Sequence, residues 1–75
     1  MLGILNRSLL EQTPVEIIYM SKGGIITQRK IMIKSINETS VMGFCMLRNK
    51  KRTFLIENIL SADLKKRLDH FKRAN

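Results

Sequence analysis

From Leu2 to Gln12 the apolar residues recur at helical spacing. Leu2, Leu5 and Leu9 share one face, with Ile4 and Leu10 beside it. This predicts a short helix over 2–12, ended by Pro14, which disfavours helical backbone in the residue before it. The period then drops to two. Val15, Ile17 and Tyr19 alternate with polar or flanking positions and predict a strand over Val15–Met20. Ser21-Lys22-Gly23-Gly24 reads as a tight turn, because glycine accepts the positive φ that hairpin turns need. Ile25–Ile36 reads as a long strand. Thr27, Arg29, Ile31 and Ile33 lie on one side, and Gln28, Lys30, Met32 and Lys34 on the other.

Asn37-Glu38 turns the chain. Thr39–Leu47 predicts a third strand and Arg52–Ile56 a fourth. Glu57–Ser61 fits a short turn and edge strand. Ser61 can cap a last helix over about 62–73. That helix would carry the stripe Leu64, Leu68 and Phe71, with Lys65, Lys66, Arg67, Lys72 and Arg73 on its other faces. The predicted fold class is mainly β with a flanking helix at each end. Short antiparallel strands this closely spaced curl into small barrels, which removes exposed edges.

Seventy-five residues make a single domain, 1–75, with the barrel over about 15–61. A chain this size buries only about 60% of the surface it exposes when unfolded, so the core must be small. Aromatics are few: Tyr19, Phe44, Phe54 and Phe71. The formal charge is +8, from 14 Lys and Arg against six Asp and Glu. Such an excess attracts polyanions such as nucleic acid, anionic lipid or acidic proteins. One cysteine, Cys45, rules out an intrachain disulfide and fits a reducing compartment. The apolar start MLGILNRSLL is too short to span a bilayer and lacks the basic start and cleavage site of a signal peptide. A cytoplasmic location without integral membrane association is expected.

The charge is clustered. Two apolar runs flank Arg48-Asn49-Lys50-Lys51-Arg52, a predicted hairpin turn carrying four cations. Arginine presents a planar fork of donors that matches phosphate or carboxylate. Arg48 and Arg52 are expected to bracket the turn and converge on an anion, with Lys50 and Lys51 between them. Like charges packed this tightly repel by a few tenths of a kcal/mol per exposed pair without a partner.

The order of strand motifs resembles WYL domains. Phe44-Cys45-Met46-Leu47-Arg48 is similar to the family's aromatic-Cys-x-x-Arg strand. Arg52-Thr53-Phe54 and Ile56-Glu57-Asn58-Ile59 resemble its next two steps. Upstream, Ile17-x-Tyr19, the Gly23-Gly24 turn and Arg29-x-Ile31 resemble its opening hairpin. The resemblance spans about 15–61. It implies an Sm-like, SH3-type barrel that senses a ligand, often nucleic acid or a nucleotide, in bacterial transcription regulators. It implies Tyr19, Arg29, Arg48 and Arg52 as the binding patch. The Trp-Tyr-Leu tripeptide of the family falls at Thr39-Ser40-Val41, without its aromatics, and the family's frequent His is Met46. The stretch before Pro14 is too short for the usual helix-turn-helix, so a stand-alone domain is expected.

Each candidate also has a plain structural role. Arg29 can pair with Glu16, Glu38 or Glu57 across the sheet. Tyr19 suits the core rim, its hydroxyl bonded to backbone, as well as base stacking. Phe44 and Phe54 read as core, Cys45 as a small buried hydrophobe, and Met20, Met32, Met42 and Met46 as core or interface filler. His70 has no ligand partners in sequence. No catalytic constellation, phosphate loop or metal-spaced cluster is present, so neither enzymatic activity nor a cofactor is expected. The leading expectation is a module that binds single-stranded nucleic acid or a nucleotide and modulates transcription. The alternative is a protein-interaction or oligomerisation adaptor built on the same barrel.

Overall fold

The computed structural model describes residues 1–64. A helix, α1 (Leu2–Glu11), precedes five strands: β1 (Val15–Met20), β2 (Ile26–Ile36), β3 (Ser40–Cys45), β4 (Lys50–Leu55) and β5 (Ile59–Leu64). A single 3-10 turn, Ile56–Asn58, joins β4 to β5. The strands form one antiparallel sheet in the order β4-β3-β2-β1-β5.

Local chemistry sets each boundary. α1 ends where Gln12 takes a left-handed φ of 52° and Thr13 N–H reaches back to Ser8 O at 3.1 Å. The buried Ser8 hydroxyl donates to the Thr13 carbonyl, so no polar atom is stranded beneath the helix. The first hairpin closes at Gly24, with φ of 84° and its N–H bonded to Ser21 O at 2.9 Å. In the second, Asn37 Oδ1 accepts from the backbone of Thr39 and Ser40 at 2.9 and 2.7 Å.

Strand alternation sorts the sheet into two faces. Val15 and Ile17 of β1, Ile31 and Ile33 of β2, Val41 and Cys45 of β3, and Phe54 of β4 all point inward and are buried. Leu5 of α1 and Ile59 of β5 complete this core. Gly43 lies opposite Ile33 and Arg52; a Cβ there would stand 3.1 Å from the Met32 carbonyl oxygen. The close approach of β2 and β3 therefore needs glycine.

The sheet is bent. In a flat sheet β1 and β4 would lie about 14 Å apart, three ladder spacings. Yet the Tyr19 ring stands edge-on to Phe54 with centroids 5.0 Å apart, and its hydroxyl accepts a bond from Leu55 N–H at 3.1 Å. Register shifts at Ile33/Ser35 and at Ile18/Tyr19 supply the local kinks.

Two expectations are corrected. The barrel is not closed: β4 and β5 are the two edges of an open sheet, because a tyrosine side chain rather than a strand ladder spans the gap. The predicted last helix does not begin at Ala62. Ser61, Ala62 and Leu64 belong to β5, opposite Ile18, Ile17 and Val15, because those apolar partners reward pairing with β1. The rest of that predicted helix, His70 included, lies outside the described residues. The described strands follow the predicted order, with β1 matching its predicted span.

Phe54→Ala is expected to lose about 3–5 kcal/mol of stability, a large-to-small change in a packed core. Tyr19→Phe should lose only about 1 kcal/mol, since it removes one hydrogen bond and keeps the ring contact. Urea unfolding of both variants measures this; equal losses would show that the ring contact does not carry the closure.

Candidate functional site

The β3–β4 connection is Met46–Asn49, and its geometry is set by backbone rather than charge. Asn49 takes a φ of 60° and donates its N–H to Cys45 O at 2.7 Å. The N–H groups of Arg48 and Leu47 are directed at Cys45 Sγ. The sulfur thus caps the loop as a serine or aspartate oxygen would. The expectation of a turn over Arg48–Arg52 is corrected. Only Arg48 and Asn49 of that run are in the loop, while Lys50, Lys51 and Arg52 are strand residues paired with Cys45, Phe44 and Gly43. Asparagine tolerates the left-handed backbone that ends the loop, whereas a run of cations has no turn geometry of its own.

The β3–β4 turn passes the amino-terminal half of β2. β3 pairs with β2 only from Ile31 onward, and beyond that Met46 N–H bonds to Lys30 O at 3.1 Å. An open cleft of about 690 Å³ lies here, with Glu16, Arg29, Lys30, Cys45 and Arg48 among its lining residues. Its size is within the range of small-ligand sites. Arg29 is half-buried, and its Nε donates to Thr27 Oγ1 at 3.3 Å, which fixes the guanidinium plane. The same guanidinium faces the Cys45 sulfur. Arg48 enters from the exposed turn. Partial burial strengthens Arg29's attraction for an anion relative to a fully solvated cation.

The other predicted residues separate. Arg52 and Lys50 share the inner face with Phe54, along β4 and outside the walls of the cleft. Lys51 is on the outer face opposite Phe44. Tyr19 lies in the closing contact, at a second opening near Ser21, Lys22 and Glu57. Its hydroxyl has the backbone partner that a core-rim role requires. The expected convergence of Arg48 with Arg52 is replaced by Arg48 with Arg29. Phe54 is core, as is Cys45, but Phe44 is only half-buried and points outward. Met42 and Met46 are exposed, so neither fills the core. Thr27 and the loop amides were not singled out in the sequence. A Thr two residues before an Arg on one strand face is the only signal that would have pointed to Thr27.

Cys45 is buried, and its thiol pKa is lowered from the usual 9.0. The Arg48 N–H is the largest cause. Burial works in the opposite direction, and the Leu47 N–H and the Arg29 guanidinium add to the lowering. Among the described residues no group of three or more His, Cys, Asp or Glu could hold a metal ion, and no helix is long and apolar enough to cross a membrane.

No protein-family model matches the chain, and no curated protein matches it in sequence. Among solved structures it is similar to proteasome accessory factor B/C (PafBC) of Arthrobacter aurescens, with a TM-score of 0.72 and 17% sequence identity. The match covers 88% of this chain and 11% of that one. At that identity the likeness shows the fold alone.

The Cys45 environment makes stability depend on pH. The folded thiol releases its proton below the pH at which the unfolded chain does. The thiol's contribution to stability should therefore rise with pH between the lowered folded value and the ordinary 9.0, level off above it, and vanish as pH falls through the folded value. Urea unfolding under reducing conditions from about pH 6 to about pH 10, wild type against Cys45→Ser, measures the difference. A pH-independent difference would contradict the assignment.

Proposed function

We propose that this domain is a non-enzymatic regulatory module that binds an anionic ligand, single-stranded nucleic acid or a nucleotide, in the cleft between β2 and the β3–β4 turn. The observation that carries the reading is the placement of Arg29 and Arg48 in one cleft, Arg29 half-buried and oriented by Thr27. A phosphate in the cleft would accept from these guanidinium groups and relieve the repulsion between them. Arg52 and Lys50 extend the positive field along β4, and Lys51 does so on the other face. The net charge of +8 steers a polyanion to the domain. The WYL resemblance supports a role in transcription regulation in the cytoplasm, and the PafBC likeness supports the shared fold.

A second reading, a protein-interaction or oligomerisation adaptor, is favoured by the two open sheet edges, β4 and β5. Open edges offer backbone donors and acceptors to another strand.

Fluorescence anisotropy with labelled single-stranded DNA, single-stranded RNA and duplex DNA tests the leading reading. Single-stranded binding is expected to weaken steeply as salt rises. Arg29→Ala/Arg48→Ala should weaken it about tenfold or more, and Lys22→Ala, in the β1–β2 turn and outside the lining of the cleft, should change it little. If no strand class and no nucleotide binds at low salt, the weight moves to the adaptor, for which light scattering is the readout.

A further inference from the structure

The outer face of an antiparallel sheet is ordinarily polar where it meets water. Here β3 is an exception. Its outward residues are Met42 and Phe44, followed in the turn by Met46. Phe44 lies opposite Met32 on β2, so an aromatic ring and three methionines make one apolar strip. Met42 and Met46 are 38% and 45% exposed, so nothing among the described residues covers them. Phe44 is also opposite Lys51 on β4, and Met42 is opposite Ser35 on β2, which follows Lys34 at the register shift. Lys30 flanks Met46 at the other end. The strip is therefore rimmed by lysines. The acidic residues Glu16 and Asp63 are opposite one another on β1 and β5, and Glu16 also lies opposite Lys30 on β2.

We propose that this strip is a docking surface for an acidic amphipathic helix of a protein partner. A helix laid along β3 would bury its apolar stripe on Phe44 and the methionines. Carboxylates on its flanks would meet Lys34, Lys51 and Lys30. Methionine side chains adapt to varied apolar shapes, which suits a docking strip better than a rigid ligand pocket. Charge excludes the nearest alternatives. Residues 65–75 carry five Lys and Arg against one Asp, and a second copy of the chain carries +8, so both are repelled by the lysine rim. Nucleic acid would find one aromatic ring here but three methionines that offer no stacking plane. The surface adjoins the Arg29–Arg48 cleft, whose lining includes Met46 and Lys30, while Met32, Met42 and Phe44 lie outside that lining.

The methionines are the natural reporters. The full chain, labelled with ¹³C at its methionine methyl groups, would be titrated with a peptide whose leucine stripe is flanked by glutamates. A scrambled peptide of the same composition and a single-stranded oligonucleotide serve as comparisons. The methyl signals of Met32, Met42 and Met46 should move with the amphipathic peptide, while those of Met1 and Met20 stay. Phe44→Ala should weaken binding about tenfold or more. Lys34→Glu/Lys51→Glu, two exposed changes that leave the core intact, should abolish it, while Arg29→Ala/Arg48→Ala leaves it unchanged. The proposal is overturned by equal binding of the scrambled peptide, by no binding, by oligonucleotide shifts centred on the same three methionines, or by contacts from residues 65–75 to Phe44 in the free protein. Oligonucleotide binding lost only in the arginine double variant bears on the cleft and leaves this surface standing or falling on the peptide result.

Discussion

A tyrosine ring set against a phenylalanine edge holds this sheet in its bend. Tyr19 on β1 reaches Phe54 and the Leu55 amide on β4, strands separated in the sheet by β2 and β3. The contact draws the inward residues of all five strands around one small core, with α1 covering it through Leu5 and Ser8. A chain this short has little apolar surface to spare. Curling the sheet lets one face do the work that two packed sheets share in a larger protein. Because a side chain spans the gap in place of a ladder, the domain keeps open edges that a closed barrel would lose.

The same curvature decides where charge goes. Alternation along β4 sends Lys50 and Arg52 inward beside Phe54 and Lys51 outward beside Phe44. Cations adjacent in sequence are thus divided between two faces. The cleft draws instead on residues far apart in the chain, Arg29 and Arg48. It forms because β3 stops at Cys45 while β2 continues, and because the loop amides close onto the Cys45 sulfur. One thiol acts at once as core atom and loop cap. The loop that it holds carries Arg48, so packing and the electrostatic character of the cleft are linked through Cys45.

Two surfaces of different chemistry result. The cleft carries two guanidinium groups suited to phosphate geometry, Arg29 half-buried and Arg48 exposed. The outer strip is apolar with a lysine rim, and lysine's compact charge on a long stem suits carboxylates at variable positions.

Much of the fold was legible in the chain. The change of hydrophobic period at Pro14, the glycines at 23–24 and Asn37 mark the helix and the first two hairpins through local chemistry that acts within a few residues. Burial of Val15, Ile17, Ile31, Ile33, Val41 and Phe54 follows from strand alternation alone. What escaped depends on contacts distant in sequence. Ala62 reads as helix by its neighbours' pattern, but pairing with Ile17 makes it strand. Asn49, not the cations, ends the third hairpin, because backbone conformation outranks charge in a tight loop. Phe44 and Phe54 have the same side chain, one in the uncharged β3 and one in the basic β4. Only the register of β3 against its neighbours puts one outside and the other in the core. Sequence determined the elements, their order and the positive field, since these follow from local propensity and summed charge. Tertiary structure alone decided which cations meet and which apolar residues stay exposed, because both depend on how far the sheet bends and where each strand stops.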